Sequence, residues 1–144
     1  MNDPVQTSAL RPLPLPDDLS APFWAAAREG RLEIQRCRTC RRWNHAPALL
    51  CPGCGGRDLG FEPASGRGRL FSWTLIKEAP APGFRDRVPL IVGLVELEEQ
   101  AHLLLAANIS GAAEADLRLG QPVEVWFEPL GEDCALPQFR VTEA

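Results

Sequence analysis

The chain has 144 residues, of which 45% are hydrophobic and 24% charged, with a formal net charge of −4. That is the composition of a soluble globular protein rather than of a disordered chain. The best apolar run, Val88 to Val95, is strand-sized, so no membrane-crossing helix is expected; Met1 to Pro16 also lacks the basic start and apolar block of a secretory signal.

In chain order, residues 1–18 read as an extended arm rich in proline (Pro4, Pro12, Pro14, Pro16). A short helix is predicted within residues 19–31, with Ser20 as its N-cap, Pro22 in the first turn and Gly30 at its end. Phe23 and Trp24 give this helix an aromatic side, which either packs on the chain's own core or docks on a partner subunit. Residues 32–65 form a small unit with strands at Leu32–Arg36, Trp43–Pro47 and Leu59–Pro63. Ser65-Gly66-Arg67-Gly68 then reads as a sharp turn into residues 66–144. There, Leu70–Lys77, Leu90–Leu97, Leu103–Ile109, Val123–Phe127 and Gln138–Val141 carry strand signals. Five short strands joined by turns suggest a small closed or partly open barrel. A short helix over Ala112–Leu119 would fall where a five-stranded OB barrel has its helix.

Cys37-Arg-Thr-Cys40 and Cys51-Pro-Gly-Cys54 are two C-x-x-C turns separated by ten residues. Each turn sets two sulfurs on one side, and two facing turns complete the tetrahedron that Zn²⁺ prefers. Four thiolates close the coordination shell, so the expected role is structural rather than catalytic. A rubredoxin-type iron site uses the same ligands. A redox dithiol would need only one C-x-x-C beside a βαβ pattern, and none is visible. Cysteines that hold metal rather than form disulfides fit a reducing, cytoplasmic location. Cys134 stands alone, and His45, between the pairs, is a distant alternative ligand.

Charge is uneven along the chain. Arg28 to Arg69 holds nine arginines against four acids, whereas Leu70 to Ala144 holds five basic residues against twelve acids. Single-strand nucleic-acid binding, which both OB folds and zinc ribbons perform, is the alternative reading of function. It is disfavoured by an acidic barrel that repels a polyanion. Phe71, Trp73, Trp126 and Phe127 would have to stack bases but alternate with aliphatics in the manner of a core. An independent enzyme is expected still less. The only histidines are His45 and His102, no phosphate-cradling glycine motif is present, and Glu98-Glu99 reads as a hairpin tip.

Pro22-Phe23-Trp24, Gly30-Arg31-Leu32, the cysteine quartet and Ser65-Gly66-Arg67-Gly68 occur in one order. Pro82-Gly83-Phe84, Val88-Pro89-Leu90, Val95-Glu96-Leu97 and Leu136-Pro137-Gln138-Phe139 follow. In that order, from about Leu19 to Val141, the chain resembles the DUF35 proteins. The resemblance implies a mainly β protein: an N-terminal helix, a rubredoxin-like zinc ribbon, then a five-stranded OB-fold domain. It further implies a non-catalytic accessory subunit, in a hetero-oligomer with a thiolase-like, aldolase or hotdog-hydratase partner that acts on coenzyme A thioesters. The barrel would accept part of an acyl-CoA, while the ribbon and helix (Phe23, Trp24) would meet the partner. Arg67, Arg69, Lys77, Arg85 and Arg87 are candidates for the anionic end of the CoA, and each is otherwise a solubilising charge. Trp73, Phe84 and Pro89 are candidates for a channel around its uncharged arm, and are otherwise plain packing. Tyrosine, frequent in the family where Ser72 and Leu90 stand, is missing from this chain.

Overall fold

The structure is a computed structural model that describes residues 11–142; residues 1–10 of the expected arm, and the last two residues, lie outside the described part. Among the described residues, one helix, α1 (Ala21–Arg28), precedes eight strands: β1 (Glu33–Cys37), β2 (Trp43–Asn44), β3 (Leu59–Pro63), β4 (Arg67–Ile76), β5 (Leu90–Leu97), β6 (Leu104–Ser110), β7 (Pro122–Pro129) and β8 (Ala135–Val141). The mainly β class, the helix and the five-stranded barrel agree with the expected architecture.

Helix α1 begins differently from expectation. Ser20 is already helical in its backbone and makes no side-chain cap. Asp17 takes that role: its Oδ1 accepts the Ser20 N–H at 2.7 Å, and Ser20 Oγ accepts the Asp17 N–H at 3.0 Å. This reciprocal pair satisfies donors that a helix start otherwise leaves bare, and it holds the Asp17 carboxyl below its ordinary range through the Ser20 N–H. At the other end Gly30, with φ of +77°, reverses the chain. The N–H of Arg31 reaches back to Ala26 and that of Gly30 to Ala27, which closes the last carbonyls.

Strands β2, β1 and β3 form a three-stranded antiparallel sheet in that order. β2 is two residues long, shorter than expected, because the chain bends away at His45. β4 to β8 form a closed barrel in the order β4-β5-β6-β8-β7, with β7 returning to β4. The expected turn at Ser65–Gly68 occupies only its first half. Gly66 turns with φ of +82°, whereas Arg67 and Gly68 already belong to β4. Gly68 is there for close approach, since a Cβ on it would stand 2.5 Å from the Glu96 carbonyl oxygen. The helix expected over Ala112–Leu119 is reduced to one 3₁₀ turn, Glu114–Asp116, because Ala113 and Leu117 on either side are extended.

Ribbon, helix and barrel share one core. Leu70, Val95, Leu97, Leu105, Ile109, Val123 and Phe139 point into the barrel, and Phe23, Leu32, Ile34 and Trp43 continue the same cluster from outside it. Gln100, in the β5–β6 turn, clamps the two parts together. Its Oε1 accepts the Trp43 N–H and its Nε2 donates to the Trp43 carbonyl, both at 2.9 Å.

Candidate metal centre and ligand-binding surfaces

The two cysteine turns are built alike. The N–H of Arg41 bonds the Cys37 carbonyl and that of Gly55 bonds the Cys51 carbonyl. Arg41 and Gly55 both adopt the left-handed conformation, at φ of 67° and 75°. All four Sγ atoms lie within 4.8 Å of one another. Cys37 and Cys54 are 3.7 Å apart and Cys40 and Cys51 3.6 Å apart. A tetrahedron with Zn–S bonds of about 2.3 Å has edges of about 3.8 Å, which these two separations match.

Backbone donors support the thiolates. The N–H groups of Cys40, Gly53 and Gly56 point at the sulfurs of Cys37, Cys51 and Cys54, at 3.5, 3.4 and 3.4 Å. The N–H groups of Cys54 and Gly53 bring the Cys51 thiol down to about 6. At Cys54 the Gly56 N–H favours the thiolate, but the crowding sulfurs of Cys37 and Cys40 prevail and push it up to about 11. Four sulfurs this close ionise together only around a cation, which the donor set identifies as structural zinc. The ion would be held by Cys37, Cys40, Cys51 and Cys54, with no position left for water. His45 is not part of the cage; its ring lies against Phe23, 5.5 Å between centroids. Cys134 is half-buried beside the start of β8, where burial raises its thiol pKa.

The basic ribbon is largely neutralised from within. Arg38 pairs with Asp58 at 2.9 Å, Arg41 with Glu62 at 3.0 Å, and Arg36 lies 4.4 Å over the Trp43 ring. Of the aromatics that could have stacked bases, Phe127 and Trp73 pack against the core and Phe71 is 44% exposed.

The residues expected to meet CoA fall into two groups at opposite ends of β4. Arg67 and Arg69 lie at its start, beside a cleft of about 450 Å³ that also holds Glu96, Glu98 and Glu124. Arg67 is paired with Glu98 at 2.7 Å, and Arg69 donates to the Gly120 carbonyl at 3.0 Å. Lys77, Phe84, Arg85, Arg87 and Pro89 belong to the connection after β4, a strand length away, or roughly 30 Å for ten residues. Arg87 there bonds Glu128 at 3.1 Å, and Trp73, on β4 itself, donates from Nε1 to Glu114 at 3.3 Å. One continuous site spanning both groups is therefore not formed. Of the two aromatics expected to face a partner, Phe23 is turned inward and only 7% exposed. Trp24 remains half-buried and meets Phe23 edge-on at 5.0 Å.

A feature that sequence reasoning missed lies on the barrel's outer wall. Beneath α1, a cleft of about 470 Å³ opens between β6 and β8, bounded by Phe23, Trp24, Pro47, Ala106, Asn108 and Gln138. Its only sequence signal is Leu136-Pro137-Gln138-Phe139, which gives no hint that Gln138 faces outward.

A four-sulfur ribbon set on a closed five-stranded barrel defines the class: a rubredoxin-like zinc ribbon joined to an OB fold. Residues 24–60 match the domain family described as "ChsH2, rubredoxin-like zinc ribbon domain", and residues 61–128 match "ChsH2, C-terminal OB-fold domain". The chain belongs to the DUF35 family, of ChsH2 type. A solved structure entitled "Ltp2-ChsH2(DUF35) aldolase" contains a chain 33% identical, with a TM-score of 0.81 over 90% of this chain and 98% of that one. A probable enoyl-CoA hydratase alpha subunit of Thermomonospora curvata is 36% identical over 132 residues, which are 92% of this chain and 40% of that protein. A DUF35 domain-containing scaffold protein of Pyrococcus furiosus is 32% identical over 76 residues, 53% of this chain and 54% of that protein. The chain thus spans about half or less of the length of these two curated relatives.

Proposed function

We propose that this protein is a non-catalytic subunit of a complex that acts on coenzyme A thioesters, where it binds acyl-CoA and holds a thiolase-like, aldolase or hydratase partner. The observation that carries this reading is the shared fold, at a TM-score of 0.81, with a DUF35 chain in a structure named as an aldolase. The chemistry of the metal centre and of the surface agrees. The metal is enclosed by four sulfurs and has no site for substrate or water, so it shapes the ribbon and activates nothing. The exposed cations after β4 (Lys77, Arg85 and Arg87) suit an anionic 3′-phospho-ADP group.

The test is to capture the native partner with tagged protein and then titrate the chain, alone and in that complex, with CoA and with a single-stranded oligonucleotide at about 0.15 M salt. A CoA-thioester enzyme in the captured complex, with saturable CoA binding, supports the reading. Oligonucleotide binding with no response to CoA would replace it with the nucleic-acid alternative.

A further inference from the structure

Strands β6 and β8 run parallel and are bridged, among the described residues, at two positions: Ile109 with Phe139, and Ser110 with Arg140. Toward their N-terminal ends they part, and the wall of the barrel opens. On its other edge β6 is fully paired with β5, Asn108 standing opposite Val92 and Ala106 opposite Leu94. The Asn108 N–H points into the gap, where Gln138 Oε1 accepts it at 2.7 Å. In an antiparallel ladder this outward direction recurs every second residue, so Ala106 turns its N–H and C=O the same way. Among the described residues no strand meets them, and Ala106 is exposed. The gap is thus an unfinished ladder edge roofed by α1.

Among the described residues its lining is apolar apart from Ser20, His45, Asn108 and Gln138, and contains no Lys, Arg, Asp or Glu. Burial lowers the pKa of His45, which keeps the ring neutral. A charged ligand would lose its hydration there without a counter-ion. The space, about 470 Å³, is that of a small-molecule site. Polar contacts offered are those of an amide partner: the Ala106 backbone pair, and the Asn108 Nδ2, whose Oδ1 is already engaged by Gln138. Beyond Gln138 the surface turns cationic within two hydrogen bonds. Gln138 Nε2 donates to Glu128 at 3.2 Å, and Glu128 accepts from Arg87 at 3.1 Å on the connection that also carries Lys77 and Arg85.

We infer that the gap between β6 and β8 is the seat of the pantetheine arm, a slender neutral chain whose amides take the open ladder position at Ala106 and the side-chain Nδ2 of Asn108. This rests on the acyl-CoA reading above and moves the neutral arm away from Trp73, Phe84 and Pro89. Phosphates then lie outside the gap, toward Arg85 and Arg87. Trp24 and Phe23 wall the chain on the helix side.

The experiment is a titration of the ¹⁵N-labelled full chain with N-pentylpantothenamide, a neutral diamide without thiol or phosphate, and separately with CoA. Saturable shifts are expected for both at the Ala106 and Asn108 amides, the Asn108 side-chain amide and the Trp24 indole. Ala106→Trp plugs the gap from an outward position and should weaken both ligands at least tenfold, about 1.4 kcal/mol. Should that variant lose the native spectrum, Ala106→Val serves, with a smaller loss. CoA binding that leaves the gap unshifted and is indifferent to Ala106→Trp would overturn the inference while leaving the proposed function intact. Failure of both compounds to bind, to the chain or to its partner complex, would overturn both. Equal binding by N-acetylalanine methylamide would make the gap a seat for peptide and overturn the pantetheine assignment.

Discussion

Gln138 stands in for the strand that β6 lacks: its Oε1 accepts the Asn108 backbone N–H at 2.7 Å and its Nε2 donates to Asn108 Oδ1 at 3.0 Å. Gln138 is 5% exposed, so neither bond is readily replaced by bulk water. Gln138→Leu strands the Asn108 N–H in a partly buried wall, a change expected to cost about 1–3 kcal/mol in urea unfolding. Amide exchange at Asn108 should accelerate, while that of Ala107, on the β5 side, should hardly change. An Asn108 amide as protected as before would show that another acceptor completes this edge.

Two glycines separate crowding from backbone strain. A Cβ at Gly68 would meet the Glu96 carbonyl at 2.5 Å, whereas one at Gly30 would meet nothing within 4 Å but would sit at φ of +77°. Gly68→Ala must push β4 off β5 and is expected to cost about 1–3 kcal/mol. Gly30→Ala carries only the left-handed penalty of about 1–2 kcal/mol. In chemical denaturation Gly68→Ala should also shift the β4 and β5 amides, and Gly30→Ala only those at the end of α1. The reverse distribution would refute the close-approach role of Gly68.

Arg41 offers the opposite test. It occupies, at φ of 67°, the position that Gly55 fills in the matching turn at φ of 75°. Arg41→Gly relieves about 1–2 kcal/mol of backbone strain. It loses an exposed ion pair with Glu62 worth at most about 1 kcal/mol, and extra chain freedom in the unfolded state offsets part of the gain. A rise in thermal midpoint with unchanged zinc content is the expected result. A fall would show that the Arg41 side chain matters more to the ribbon than its backbone conformation.

Cys51→Ser removes one of two buried corners of the cage. Structural zinc in small modules contributes about 10–16 kcal/mol, comparable with or above the whole stability of an ordinary domain, about 5–15 kcal/mol. The ribbon is therefore expected to lose its metal and its β1–β3 pairing. Leu32, Ile34 and Trp43 belong to the same apolar cluster as the barrel residues, so the barrel should melt earlier as well. Metal analysis alongside thermal unfolding checks both. Unchanged zinc content and melting would remove the structural role.

Legibility in the sequence followed the range of the interactions. The cysteine quartet could be read directly, because a C-x-x-C turn is local and its pairing is forced by coordination. β5 was placed at Leu90–Leu97, since its β-branched residues signal a strand without knowledge of neighbours. Asp17 escaped notice as the helix cap because Ser20, three residues on, is an equally good cap in isolation; the reciprocal bonds decide between them. Arg67 and Arg87 read as free cations, yet each finds its acid across the fold, 31 and 41 residues away. The gap at Ala106 was invisible for the same reason. It depends on where a parallel ladder stops, which no local pattern records.

Glu128 binds Arg11 through Oε1 and Arg87 through Oε2, both at 3.1 Å, and so ties the N-terminal segment and the β4–β5 connection to β7. Burial would raise its pKa, but the hydrogen bonds from Arg11 and Gln138, with the charges of Arg11 and Arg87, prevail and hold it below the ordinary 4.5. A depressed carboxyl stabilises the fold above its unfolded pKa and stops doing so as the pH falls through the lower, folded value. Glu128→Gln removes the charge and leaves Arg11, 9% exposed, without its counter-ion. A fully buried pair broken this way loses about 3–5 kcal/mol; here the arm can lift and rehydrate Arg11, so a loss of about 2 kcal/mol is expected at pH 7. That difference from wild type should persist down to about pH 4.5 and then shrink toward zero, because the protonated acid and the amide are then alike. Stability curves of the two proteins that stay parallel through this range would exclude Glu128 as the residue that anchors the arm.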